Sequence, residues 1–154
     1  MYTEKDLDVL NQQLKRRKTI LLAVLVVLLA GIVYSLVIRL EWLTTVLTIA
    51  AGIIAIATYD LALQPIRCYR THVENVLHGR TRQMDGTFRG LSEEISMVDG
   101  VLYRAMTLEV PDEKGKPSDR LFYFDVQKAF PDFADGDMIH VVYHDREIAA
   151  LSRV

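Results

Sequence analysis

The sequence predicts an α+β membrane protein, in which a transmembrane helical hairpin is followed by a small antiparallel β-barrel. Two observations lead to this fold class. Two long apolar runs, residues 19–38 and 43–59, are separated by only four residues. The second half of the chain instead has short segments in which apolar and polar residues alternate, and tight-turn sequences divide these segments. We therefore expect one membrane hairpin and one β domain.

The two apolar runs are long enough to span a bilayer. The first has no charged residue over about the 20 positions that a membrane-crossing α-helix needs. The second reaches this length if it continues through Asp60 to Leu63. Residues 19–64 are therefore predicted to form the hairpin, with spans at about 19–39 and 43–63.

The segment before the first run is predicted to be an amphipathic helix, residues 1–18. Its start resembles a capping box, Thr3-Glu4-Lys5-Asp6, with Asp in place of the usual Glu. Leu7, Leu10 and Leu14 then recur at helical spacing. Such a helix either lies among the lipid headgroups or contacts another subunit.

Basic residues cluster at both outer ends of the hairpin and predict its orientation. Lys and Arg beside a membrane span are retained in the cytoplasm, so both termini should be cytoplasmic and residues 39–42 external. A single cysteine agrees with a reducing compartment. The first run is too long for a signal peptide and no cleavage site follows it, so we expect an uncleaved, multi-pass anchor. The charges expected at the membrane interface are Lys15, Arg16, Arg17, Lys18, Asp60, Arg67 and Arg70.

Asp60 is the one ionisable residue inside either predicted span. It lies shortly before Pro65, near the expected cytoplasmic headgroups, where a carboxylate can pair with Arg67 or with a basic residue at the start of the first span. We expect an interfacial ion pair there. Proton or ion handling is the alternative.

Small residues recur at helical spacing in both runs and predict close helix packing, because they let helix backbones approach within lipid. The helix-packing candidates are Ala23, Gly31, Ser35, Thr44, Thr48 and Gly52. These residues either pack the two spans against each other or join subunits. The sequence leaves both possibilities open.

A juxtamembrane helix is predicted over residues 65–79. Pro65 should kink or restart the helix, and Gly79 is a plausible stop. Cys68 and His72 lie four residues apart on this helix, but they supply only two metal ligands on one face. No metal site is predicted.

The remaining residues, 80–154, are predicted to be a cytoplasmic β domain of six short strands. Asp99-Gly100 is a strong hairpin signal between two alternating segments. In the segment 121–126, Phe122, Phe124 and Val126 share one face of a strand. Tight turns between short strands favour a closed barrel, since a small open sheet would expose long edges.

The order of these elements resembles that of small oligonucleotide-binding (OB) or SH3-like barrels. The resemblance rests on a connection containing FPDFADGD, a strand MIHVVYH and a short last strand EIAALS. Such barrels often follow membrane hairpins in small bacterial proteins, which implies the bacterial plasma (inner) membrane. The resemblance covers the second half of the chain and carries no functional residues.

The β domain is acidic, and this argues against nucleic acid as a partner. From residue 83 onward there are fourteen acidic and eight basic residues, a net charge of −6. Single-strand binders need a basic groove with stacking aromatic residues. His140 and His144 are about 13 Å apart if both lie on one strand, too far to share an ion. No catalytic, cofactor or metal motif is present, so we predict no catalytic residue and no cofactor.

Three functions remain compatible with this sequence. The first is a non-enzymatic, membrane-anchored binding or scaffolding subunit that presents the acidic β domain at the cytoplasmic face. The second is a homo-oligomeric pore or channel with a cytoplasmic β collar, and the third is a small-ligand sensor. The partners expected are membrane lipid and either further copies of the chain or another membrane protein.

Overall fold

The computed structural model describes residues 1–111 and 116–154. The helical elements are α1 Glu4–Val37, α2 Glu41–Thr58, a π-helical turn Tyr59–Leu63, and α3 Gln64–His78. The strands are β1 Arg82–Val98, β2 Val101–Pro111, β3 Pro117–Asp125, β4 Met138–His144 and β5 Glu147–Arg153. The sequence also predicts a polar loop over residues 112–119, which contains Gly and Pro. Residues 112–115 lie outside the described residues, and residues 117–119 belong to β3.

Within the described residues, two helical stretches are long and apolar enough to cross a membrane. They are Glu4–Val37 and the continuous stretch Glu41–His78, whose most apolar windows have mean hydropathies of 3.0 and 2.0. Only 6% of each window is buried within the chain. Helix α1 runs without a break from the segment expected to be amphipathic into the first apolar run, because neither proline nor glycine intervenes before Gly31.

Pro65 is accommodated inside a helix and does not end it. A proline ring clashes with the carbonyl four residues earlier and has no N–H to donate. The helix widens immediately before Pro65 into the π-helical turn Tyr59–Leu63, and the Gln64 N–H bonds the carbonyl of Tyr59, five residues back. The expected kink or restart therefore takes the form of a widened turn.

The described residues fall into two compact units. One comprises Met1–Leu7 together with Cys68–Val154, and the other comprises Asp8–Arg67. The first few residues of the chain thus belong with the β domain, although α1 continues into the other unit.

The five strands close into a barrel in the order β1-β2-β3-β5-β4, with β4 pairing back onto β1. The closed barrel agrees with the sequence, but two details differ. The sequence predicts six strands, two of them over residues 81–91 and 95–98, whereas β1 is one continuous strand. A register shift between Leu91 and Ile95 accommodates the irregular residues. The barrel was also predicted to be antiparallel, yet β3 and β5 pair in parallel, through Tyr123 and Glu147. A closing pair so distant in sequence leaves no local signal.

The hairpin predicted at Asp99-Gly100 is confirmed. Val98 pairs with Val101, and the two turn residues between them have φ angles of 51° and 79°. Positive φ at both positions is the conformation of a type I′ turn, which Asp-Gly favours because glycine adopts it without steric cost.

The barrel interior is filled by apolar and aromatic side chains from all five strands. Phe122 and Phe124 face this core, as the alternation in β3 predicted, and Phe124 is only 1% exposed. Phe130 from the β3–β4 connection packs edge-on against Phe124, with ring centroids 4.9 Å apart. The buried core residues are Phe88, Met106, Leu108, Phe122, Phe124, Ile139, Val141, Tyr143 and Ile148.

Candidate functional site

A cluster of polar side chains is buried where the first residues of the chain and α3 meet the barrel. His72 of α3 lies at its centre and is 5% exposed. We call this group the His72 cluster. Its members are Tyr2, Tyr69, His72, Tyr103, Asp125 and Glu147.

Both ring nitrogens of His72 have partners. Nε2 lies 2.9 Å from the hydroxyl oxygen of Tyr2. Nδ1 lies 2.9 Å from the hydroxyl oxygen of Tyr103 and 3.0 Å from Oε2 of Glu147. The rings of Tyr2 and Tyr103 pack edge-on against the imidazole, each with a centroid separation of 5.4 Å. His72 is thereby held between the N-terminal segment and the barrel.

Asp125, at the end of β3, collects donors from three parts of the chain. Its side chain is almost wholly buried, at 1% exposure. The hydroxyls of Tyr2 and Tyr69 donate to Oδ2 at 2.9 and 2.7 Å, and the backbone N–H of Gln127 donates to Oδ1 at 2.8 Å. A buried carboxylate is tolerated when donors surround it in this way.

The three tyrosines of the cluster are held in their protonated form. Burial raises the pKa of Tyr2, Tyr69 and Tyr103 well above the usual value, and the neighbouring carboxylates, Asp125 and Glu147, raise it further. For Glu147 itself burial acts to raise the pKa, but the hydrogen bond and charge of His72 and the Tyr103 hydroxyl prevail, so the pKa is lowered. The phenols therefore act as donors to carboxylates.

The start of the chain is fixed to the barrel by a second set of contacts around Lys128. The Lys128 ammonium lies 4.9 Å from the centre of the Tyr2 ring and 3.2 Å from Oδ2 of Asp6. The same Asp6 oxygen accepts the backbone N–H of Thr3 at 3.0 Å, as the capping-box pattern predicted. That hydrogen bond, followed by Lys128, lowers the pKa of Asp6.

The His72 cluster is suited to fastening three segments of chain together. Within the described residues, every buried side-chain nitrogen or oxygen has a hydrogen-bond partner. Deprotonating any of the phenols would place a second negative charge beside a buried carboxylate, which the raised pKa values oppose. The cluster thus makes Met1–Leu7, α3 and the barrel one folded unit.

Three of the helix-packing candidates lie beside the other helix of the predicted hairpin, and the other three are exposed. Ser35 is fully buried and its hydroxyl lies 2.6 Å from that of Thr44, while a Cβ added to Gly31 would lie 3.5 Å from a methyl of Leu47. Gly52 has no described atom within 4 Å of such a Cβ. The structure leaves Ala23, Thr48 and Gly52 exposed.

The expected interface charges lie as follows. Lys15, Arg16, Arg17 and Lys18 are all exposed on α1, and Arg17 donates to the carbonyl of Ala62 in the widened turn at 3.0 Å. Arg67 donates to the hydroxyl of Tyr59 at 2.9 Å, and Arg70 pairs with Glu74 at 3.3 Å. Asp60 is exposed and has no ion-pair partner among the described residues. Among the described residues, Asp60 forms no ion pair with Arg67 or with a basic residue at the start of the first span.

The other histidines and the cysteine have contacts of their own, and His78 pairs with Glu4 at 3.2 Å. His140 pairs with Asp85 on the neighbouring strand, and His144 lies 3.1 Å from the carbonyl of Arg80. Cys68 packs beside Gly100, since a Cβ added to that glycine would lie 2.8 Å from its sulfur. In the described part of the chain, no three acidic, histidine or cysteine side chains are grouped as metal ligands.

Most of the His72 cluster was not predicted from the sequence. His72 was considered there only as a potential metal ligand beside Cys68. Tyr2 stands before the first helix and has no periodic signal. One available signal was the alternation in β3, which puts Asp125 on the face opposite Phe122 and Phe124.

No protein-family model, curated protein or solved structure matches the chain. We therefore infer function from the residues and geometry of the chain itself.

Proposed function

We propose that the chain is a non-enzymatic, membrane-anchored binding or scaffolding subunit. In this proposal the hairpin lies in the bacterial inner membrane with both termini in the cytoplasm. The acidic barrel is presented at the cytoplasmic face, where it docks a partner protein or another copy of the chain.

The observation that carries the proposal is the exposure of the apolar helices. Only 6% of the most apolar window of each helix is buried within the chain. Val27, Leu61 and Ile56 are exposed by 72%, 80% and 66%, respectively. An apolar surface of this extent requires a cover, and helices whose backbone bonds are satisfied internally are well matched to lipid.

The barrel supports a binding role. Its strand order β1-β2-β3-β5-β4, closed by a parallel β3–β5 pair, is the order of OB-type barrels, so we assign it to that type rather than to SH3-like barrels. OB-type barrels act mainly as binding modules, although fold alone does not define function. The His72 cluster favours a rigid module, because each of its buried polar groups is engaged within the fold.

An oligomer is the second candidate, and one observation favours it. Gly52 lies on an exposed face of α2 with open space beside it, so its small size serves no contact among the described residues. Close packing against a second copy would use this face. A pore is less favoured, because Thr44 bonds Ser35 and Thr48 donates to the carbonyl of Thr44. Both hydroxyls then already have a partner within the described helices.

The proposed function is tested by expressing the full chain in bacteria and separating the membranes. The chain should stay with the membrane after alkaline carbonate washing and should dissolve only in detergent. Recovery in the carbonate supernatant would contradict the membrane anchor.

The binding role is tested by the mass of the particle in nanodiscs and by purification from native membranes. We expect either a homo-oligomer or a stably associated membrane protein. Gly52→Leu should insert normally yet weaken a homo-oligomer, because it adds bulk where helix backbones should approach. Ile53→Leu is the control, since it replaces an exposed residue of the same helix with one of equal size. A monomer without any associated protein would contradict the scaffold.

A further inference from the structure

A groove of about 430 Å³ lies on the barrel and shares no lining residue with the His72 cluster. Three arginines line it: Arg82 at the start of β1, Arg120 in β3 and Arg146 in the β4–β5 turn. Leu121, Phe122 and Tyr143 supply its apolar wall. The groove follows the seam of the barrel where β3 passes the ends of β1 and β4.

Within the described residues, the three arginines of the groove have no ion-pair partner, unlike Arg89 and Arg153 of the barrel. Arg89 pairs with Glu109 at 2.6 Å and Arg153 with Asp137 at 2.7 Å. Among residues 1–111 and 116–154, Arg82, Arg120 and Arg146 have no carboxylate within ion-pair distance. Three guanidinium groups facing one groove, in a domain with a net charge of −6, form a local site for anionic groups.

Before Tyr123, the backbone of β3 is unpaired on the side that faces away from β2. The N–H of Tyr123 donates to the carbonyl of Arg146 at 2.7 Å, away from β2. Backbone groups two residues apart on a strand point the same way, so those of Leu121 and Asp119 also point away from β2. On that side the only pair between β3 and β5 is Tyr123 with Glu147. The edge from Asp119 to Leu121 is therefore free to pair with another strand within the described structure.

We propose that this groove binds an extended, acidic peptide segment of a partner protein, which adds as a strand to the free edge of β3. Backbone hydrogen bonds to Asp119 and Leu121 would supply sequence-independent affinity, as in other cases of strand addition. Glu or Asp side chains of the peptide would pair with Arg82, Arg120 and Arg146, and guanidinium groups suit bidentate pairing with carboxylates. This assignment rests on the proposed binding function and names its partner class.

The two carboxylates in the groove limit where acidic side chains can sit. Asp119 and Asp145 also line it, so a uniformly acidic peptide would meet repulsion at these points. Leu121 is 55% exposed and offers an apolar contact between the charged positions. An alternation of acidic and apolar residues therefore fits the groove better than a continuous acidic run.

The test uses the full chain in nanodiscs of uncharged lipid and a fluorescent eight-residue peptide that alternates Glu and Val. We expect binding by fluorescence anisotropy that weakens with added salt, because exposed ion pairs are screened. A matched peptide with Lys in place of Glu should bind at least about tenfold more weakly, since hydrogen bonds to charged groups contribute this order of free energy. Equal binding of the two peptides would overturn the proposal.

Variants of the chain test whether the peptide binds in this groove. Arg120→Gln and Arg146→Gln together should weaken the Glu peptide by about tenfold or more. Arg89→Gln removes the same kind of charge from outside the groove and should leave the affinity unchanged. Unchanged barrel hydrogen exchange in each variant shows that folding is intact. An equal loss of affinity in all variants would contradict the assignment to this groove.

Pairing of the peptide with β3 can be measured directly by hydrogen exchange and by N-methylation of the peptide. The amides of Asp119 and Leu121 should become protected from hydrogen exchange when the peptide binds, and a peptide N-methylated at alternate residues should lose affinity. Protection confined to other strands would overturn the pairing. Binding of oligothymidylate in place of the peptide, lost in the arginine variants, would overturn it in favour of nucleic acid. Carbonate extraction tests the membrane anchor, and nanodisc mass with purification from native membranes tests the binding role. Failure of the peptide proposal is therefore distinguishable from failure of the proposed function.

Discussion

The hydroxyl of Tyr2 lies 2.9 Å from Oδ2 of Asp125, a residue 123 positions later in the chain. The same hydroxyl lies 2.9 Å from Nε2 of His72. One side chain at the beginning of the protein thus joins α3 to the end of β3. The first residues belong to the folded β unit for this reason, although they precede the apolar helices in sequence.

Tyr2→Phe should destabilise the β unit by about 1–3 kcal/mol, because it removes a buried hydroxyl that has two partners. The free energy is measured by hydrogen exchange of barrel amides in the full chain in detergent. Tyr123→Phe is a matched control, since the hydroxyl of Tyr123 has no hydrogen bond within the described residues. Equal effects of the two variants would contradict the role given to Tyr2.

The β unit should lose stability at alkaline pH. The pKa values of Tyr2, Tyr69 and Tyr103 are raised by folding, so their contribution is full below the pKa of an unfolded tyrosine, about 10. It is lost as the pH rises above that value towards the folded pKa. Tyrosinate absorbance and circular dichroism, followed together, should show these three phenols ionising only as the barrel unfolds. Their ionisation in a folded barrel near pH 10 would refute the cluster.

Acid should weaken the unit through Glu147. Folding lowers the pKa of this carboxyl, so its contribution is present above the usual pKa of glutamate and is lost as the pH falls through the folded pKa. Glu147→Gln cannot ionise and should show a flatter decline of unfolding free energy on the acid side of pH 5. The same slope in both proteins would mean that Glu147 is not held by His72.

Phe124→Ala should cost roughly 3–5 kcal/mol of unfolding free energy, because it empties a fully buried position in the barrel core. Met97→Ala removes a large side chain that is 68% exposed and should change stability by less than about 0.5 kcal/mol. Hydrogen exchange of the full chain gives both values. A mild effect of Phe124→Ala would place this side chain outside the core.

Local signals in the sequence predicted much of the fold. Apolar runs without charge marked the two long helices, and the Asp99-Gly100 turn fixed the register of β1 and β2. Alternation placed Phe122 and Phe124 in the core. Each of these features depends on residues close together in the chain, where periodicity and turn chemistry act.

The features that the sequence did not predict depend on distant residues. The parallel pair of Tyr123 with Glu147 closes the barrel across 24 positions, and the bond from Tyr2 to Asp125 spans most of the chain. No periodic pattern marks such contacts. In the sequence, His72 stood out only as a potential metal ligand beside Cys68, because the side chains that contact it come from three other segments.

The orientation of the chain across the membrane is the central claim, and cysteine accessibility tests it most directly. With Cys68→Ser as background, Glu41→Cys stands between the two apolar helices and Ala134→Cys stands in the exposed β3–β4 connection. A membrane-impermeant maleimide should label Glu41→Cys in intact cells and Ala134→Cys only after the membrane is permeabilised. Labelling of Ala134→Cys in intact cells, with Glu41→Cys protected, would contradict the account.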